Sequence, residues 1–235
     1  MSEMDDSSAP LIEHLAELRT RLIWSVAAFL IGMILSFIVA EQILKFLLLP
    51  IENTMRSLGN PNPTMIYTAP QEYFFTLIRV SVVGGLILSF PVIAHQLWRF
   101  VAPGLYKQEK NAFLPFLIAS PLLFVLGAAF AHFVVVPLAM QFFLGFADAA
   151  SLLAALVAEG ADGVSASGIG IVFQGKVNES LDISLKMIVA FGLCFQLPVL
   201  LTLMGKAGLV SSAGLAGVRK YAVVGILLVA ALVTP

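Results

Sequence analysis

Five stretches of this chain carry no Asp, Glu, Lys or Arg, and few folds accommodate that pattern. They are Leu22–Ala40, Val80–Trp98, Asn111–Ala147, Met187–Gly205 and Tyr221–Pro235, of 19, 19, 37, 19 and 15 residues. About 20 apolar residues at ~1.5 Å rise each cross the ~30 Å hydrocarbon core of a bilayer. Backbone polar groups find no water there, so such spans must be helical. The expected fold is an all-α integral membrane protein, a single bundle of five transmembrane helices over residues 1–235. The chain is 60% hydrophobic and 11% charged, against about one-quarter charged in soluble domains.

The charges choose the orientation, because Lys and Arg favour cytoplasmic loops. Arg19 and Arg21 precede the first span, Arg99, Lys107 and Lys110 follow the second, and Lys206, Arg219 and Lys220 follow the fourth. The other two loops hold Lys45 and Arg56, then Lys176. A cytoplasmic N-terminus thus places 8 basic residues inside and 3 outside, and splitting the 37-residue stretch into a hairpin would reduce the bias to 6 against 5. One long span is expected, with Pro115, Pro121 and Pro137 bending it or ending it early. Residues 1–18 hold five acids and no Lys or Arg, unlike a cleavable secretory signal.

The loops differ in character. Glu41–Glu72 is rich in turn formers, and Asn60-Pro61-Asn62-Pro63 cannot continue a helix. In the outside loop 148–182, Asp148–Glu159 is expected to form a short surface helix, followed by a flexible Gly/Ser-rich run, Gly160–Gly170. Before the first span, Leu11, Leu15, Leu18 and Leu22 fall on one helical stripe, with Glu13, Glu17 and Arg21 on another face. Residues 1–21 therefore read as a cytoplasmic amphipathic helix on the membrane surface, with a Glu17–Arg21 ion pair.

Catalytic and metal chemistry find no support. One cysteine, Cys194, excludes a disulfide within the chain. His95 and His132 have no second ligand at metal spacing, and His14-x-x-Glu17 supplies only two potential donors. No Ser/His/Asp set or phosphate-cradling glycine loop is present. Neither an enzyme nor a cofactor is expected, and a net charge of −1 points to no nucleic-acid partner. Gln196, two residues before Pro198, is the main polar group at membrane depth. A helix–helix hydrogen bond is its ordinary role, with a functional contact as the alternative. An ion-coupled transporter usually keeps an acid or base near the midplane, so the charge-free spans disfavour a small-solute secondary transporter, the competing functional class.

The motifs themselves carry a resemblance. His14-Leu15-Ala16-Glu17-Leu18-Arg19-Thr20-Arg21-Leu22 resembles the opening signature of the TatC family, the multispanning receptor of the twin-arginine protein translocase. The run from Gln96 through Trp98-Arg99-Phe100-Val101-Ala102-Pro103-Gly104-Leu105-Tyr106-Lys107 to Glu109 is similar to its second signature. Leu49-Pro50, Ser89-Phe90-Pro91-Val92, Phe133–Leu138 and Phe191–Val199 match further positions. The resemblance implies a receptor in the bacterial inner membrane that binds R-R signal peptides of folded proteins. It implies work with the single-span subunits TatA and TatB, as a homo-oligomeric receptor complex driven by the proton-motive force. The family's recognition residues fall on Glu17, Arg19, Phe100, Lys107 and Glu109, and its structural positions on Pro50, Pro91, Pro103, Tyr106, Gln196 and Pro198. Two features depart from the pattern. The family has six spans against the five expected in this chain, and Gln196 stands where some members carry Glu.

Overall fold

The computed structural model describes residues 3–57, 62–101, 110–146, 175–206, 210 and 212–233. The elements are α1 (Glu3–Ile38), α2 (Ala40–Ser57), α3 (Pro70–Val101), α4 (Lys110–Phe130), a π-helical turn (Ala131–Val135), α5 (136–146), α6 (Val177–Cys194), α7 (Leu197–Lys206) and α8 (Ser212–Val233). Four segments among the described residues are long and apolar enough to cross a membrane: Leu15–Ile38, Pro70–Phe100, Pro115–Phe146 and Val177–Gly205. Helix α8, with 22 residues and an exposed face of Val223, Ile226, Leu227 and Leu228, completes the described elements. The fold is an all-α membrane-protein bundle.

Helices α1 and α3 approach each other through small residues. A Cβ on Gly32 would lie 2.8 Å from the Gly85 carbonyl oxygen, and one on Gly85 would lie 2.6 Å from the Met33 backbone nitrogen. Ser36 is fully buried against Gly84. Lipid tails are as apolar as leucine, so spans associate by close backbone packing, which residues of this size permit. The remaining surface of α1, including Trp24, Ile31 and Ile34, is exposed on the outside of the bundle.

The third stretch forms one continuous helical segment, Pro115–Phe146, and its prolines do not stop it. Pro137 has no N–H to donate, and the π-turn just before it resets the hydrogen bonding. The Val136 N–H bonds to the Ala131 carbonyl five residues back. The helix then runs on to residue 146, and a second layer explains why it overshoots. Helix α2 lies over this end of the bundle, burying Ile51 and Met55 against Val136, Met140 and Leu144, and Leu44 and Leu47 against Val80, Leu181 and Leu185.

Reading 41–72 as a turn-rich loop is thus corrected for its first half. The buried positions 40, 44, 47, 51 and 55 recur at helical spacing. Opposite them, Lys45–Glu41 (2.7 Å) and Arg56–Glu52 (2.9 Å) pair at i, i+4 on the exposed face. The Lys45 ammonium bonded to Glu41 holds that carboxyl below the usual carboxylate range. Pro50 is buried within α2, and its carbonyl accepts a 2.8 Å bond from Thr54 Oγ1.

The connections at this end are tied together. Ile66 pairs with Lys176 in a parallel bridge, donating to Gly175 O (3.0 Å) and accepting from Val177 N (3.1 Å). Pro70 at the start of α3 suits a position with no intrahelical donor role. Glu72 accepts the Thr68 N–H at 2.8 Å, in the manner of a capping box. The expected helix Asp148–Glu159 and the Gly160–Gly170 run lie outside the described residues.

Candidate functional site

The opening signature sits on α1, which runs unbroken from the amphipathic segment into the first span. Leu15, Leu18 and Leu22 form the expected stripe, and all three are exposed, a face left for lipid. Glu17 Oε1 accepts from Arg21 Nε at 3.0 Å and from a second guanidinium nitrogen, so the expected i, i+4 pair forms. The Arg21 side chain is 16% exposed and that of Glu17 34%, which leaves the carboxylate accessible from one side. Arg19 is exposed.

The register between α1 and α3 locates the second signature relative to the first. α2, which follows α1, packs on the early part of α3, with Ile43 beside Gly84 and Leu44 against Val80. The two long helices are therefore antiparallel. Glu17 lies 15 residues before Gly32, and Phe100 lies 15 residues after Gly85. Each is then ~22 Å from the close contact in the same direction. Glu17 and half-buried Phe100 share one level, at the end of the bundle opposite α2.

Trp98 anchors this end of α3, 3% exposed among Phe90, Ala94, Phe124, Val199 and Leu203. Phe90 stacks on Phe124 at 4.0 Å. Pro91 lies within α3 and faces outward. Pro103, Tyr106, Lys107 and Glu109 lie outside the described residues, in the segment that joins Val101 to Lys110. α1 packs on α3, while α4 packs on α3 and α6. The second span thus lies between the first and the third, and residues 102–109 connect it to the third in the chain.

Gln196 makes the helix–helix bond that is its ordinary role, and the structure supplies the partner. Ser120 Oγ donates to Gln196 Oε1 at 2.7 Å, and Gln196 Nε2 donates to the Ser120 carbonyl at 2.8 Å. The side chain is 7% exposed. It projects from a break in the fourth span, where Phe195 and Gln196 form a turn between α6 and α7. Pro198 opens α7 at its second residue, within the first turn where a missing N–H is tolerated. Nearby, Gly127 and Gly192 let α4 and α6 touch, since a Cβ on Gly127 would meet Phe191 O at 2.5 Å. Among the described residues no cluster of three metal-ligating side chains occurs.

A family model described as Sec-independent protein translocase protein (TatC) matches residues 13–235. This chain belongs to the TatC family. A TatC protein of Magnetococcus marinus is 44% identical over 230 residues, covering 98% of this chain and 76% of its own. One of Aquifex aeolicus is 38% identical over 226 residues, covering 96% and 85%. A crystal structure described as the twin arginine translocase receptor TatC superposes with a TM-score of 0.76 at 37% identity, covering 94% of this chain and 87% of that one. TatC proteins are components of a protein translocase rather than enzymes, and this member is a multi-pass membrane protein.

Proposed function

We propose that this chain is the receptor and core subunit of a twin-arginine translocase in the bacterial inner membrane, with five spans in the described length and a cytoplasmic N-terminus. It binds R-R signal peptides of folded proteins at its cytoplasmic face. With TatA and TatB, in a homo-oligomeric receptor complex, it takes part in their export, driven by the proton-motive force. The observation that carries this reading is the Glu17 carboxylate, one-third exposed and level with Phe100 at the end of the bundle opposite α2. A signal arginine brings a planar donor fork that a carboxylate accepts directionally. Glu17 already holds one guanidinium, that of Arg21, so the arriving arginine shares or displaces it. Glu109 is assigned to the second signal arginine. Arg19 and Lys107 shape the acids' setting, since they repel the signal's own charges, and Phe100 offers an apolar contact beside them.

The test is crosslinking of an R-R signal peptide to E17Q and E109Q in membranes carrying equal amounts of each protein. A charge-assisted hydrogen bond contributes roughly 1.5–3 kcal/mol, so each change should weaken binding about ten- to a hundredfold. Undiminished binding by both variants, or equal binding of a K-K signal by the wild type, overturns the assignment.

A further inference from the structure

Helices α3 and α6 start side by side, because the Ile66–Lys176 bridge ties the residues just before them. Arg79 and Lys186 each lie nine residues into their helix, ~13 Å along it. The two cations therefore occupy one level. Between them stands a single carboxylate, Asp182, 2.7 Å from Lys186 Nζ and 3.6 Å from an Arg79 guanidinium nitrogen. The same Arg79 nitrogen donates to Asn178 Oδ1 at 2.8 Å. Next along, Lys176 faces two carboxylates, Glu179 at 3.5 Å and Glu72 on α3. Arg79, Asp182 and Lys186 by themselves thus carry one surplus positive charge, and all three side chains are about half exposed. Directly beneath it an open groove of about 300 Å³ runs between the helices, with Val82, Val83, Leu185 and Val189 as its apolar walls.

A basic row at the mouth of an apolar groove on a membrane-facing surface has the polarity of a lipid, charged at one end and hydrocarbon below. Basic pockets between transmembrane helices favour anionic head groups. A partner's transmembrane helix would cover the groove with apolar side chains and leave the surplus charge unanswered. A zwitterionic lipid would bring its own cation against Arg79 and Lys186. We propose that the α3–α6 groove binds one anionic glycerophospholipid, its phosphate on Arg79 and Lys186 and an acyl chain between Val82 and Val189.

The experiment uses the whole chain, purified in detergent and incubated with equal amounts of phosphatidylglycerol and phosphatidylcholine. Native mass spectrometry then counts the retained lipid. One surplus charge, at about 1 kcal/mol per basic residue near an anionic head group, corresponds to about a fivefold preference for phosphatidylglycerol. R79Q/K186Q should bring the ratio to one or below, and D182N, which removes the competing carboxylate, should raise it. Val82→Trp, which fills the groove, should reduce retention of both lipids. Equal retention of the two lipids by the wild type overturns the proposal, as does a preference that survives R79Q/K186Q. A photoreactive residue at Val82 should capture lipid in native membranes, and capture of a protein helix instead would reject a lipid occupant.

Discussion

The Gln196–Ser120 pair can be taken apart bond by bond. Gln196→Leu removes both interhelical hydrogen bonds and leaves the Ser120 hydroxyl without its acceptor. Interhelical hydrogen bonds in membranes average about 0.6 kcal/mol and reach about 1.7, so this change should cost roughly 1–3 kcal/mol. Ser120→Ala removes only the hydroxyl donor and keeps the carbonyl that accepts from Nε2, for a loss of about 1 kcal/mol. In the double variant the hydroxyl is gone and has no partner to miss, so the loss should match that of Gln196→Leu alone. The coupling energy, the shortfall from additivity, should then be about 0.6–1.5 kcal/mol. Unfolding of the four proteins in mixed dodecylmaltoside–SDS micelles measures it. At about 2–4 °C per kcal/mol for a chain of this size, Gln196→Leu should also lower Tm by roughly 2–12 °C. Additive losses would mean that the two side chains do not share a bond, and the description of the fourth span's break would fail with it.

Three further outcomes are expected. Gly85→Leu forces a side chain into the Met33 backbone, and overpacking of this kind costs about 1–3 kcal/mol. It should lower thermal stability and weaken signal binding together, whereas normal binding would show that the α1–α3 register does not set the receptor end. His132 is 3% exposed, stacks on Phe46 at 4.5 Å, and neither ring nitrogen has a hydrogen-bond partner among the described residues. His132→Phe should therefore keep or raise Tm while His132→Ala lowers it, and a Phe variant as unstable as the Ala variant would reveal a polar role. In a Cys194→Ser background, cysteines at Ser57 and Ser165 should react with an impermeant thiol reagent outside intact cells, and one at Ser211 should not. Labelling at Ser211 but not Ser165 would overturn the single-span reading of the third stretch.

The spans were legible because hydrocarbon tolerates no unpaired charge, and gaps between Asp, Glu, Lys and Arg mark them directly. The Glu17–Arg21 pair was legible for the same kind of reason, since i, i+4 spacing on a helix dictates who meets whom. Helix α2 was passed over although Ala40, Leu44, Leu47, Ile51 and Met55 spell it out. Its four charges and the prolines that follow it suggested a solvated loop, and what its apolar face packs on comes from residues far along the chain. The prolines of the third span promised an interruption, but whether Pro137 breaks a helix or is absorbed depends on backbone bonding that composition does not encode. Gln196 announced a need for a partner without naming one, because Ser120 is 76 positions away and is one of several hydroxyls in the spans. Of the recognition residues, Glu17, Arg19 and Phe100 have described positions, and Lys107 and Glu109 do not.

The cap formed by α2 also imposes an order on synthesis. Leu47 finds Leu181 only after 134 more residues have been made, and Ile51 finds Val136 after 85. At about 5–20 residues per second, Leu47 waits roughly 7–30 s for its partner while the chain is still being inserted. During that interval α2 has an apolar stripe, an opposing row of ion pairs and only the early part of α3 to lie on besides the membrane surface. Its amphipathic form suits that temporary berth as well as the final one. The nascent chain can thus park the helix at the bilayer interface and hand it over to residues 128–188 when they arrive.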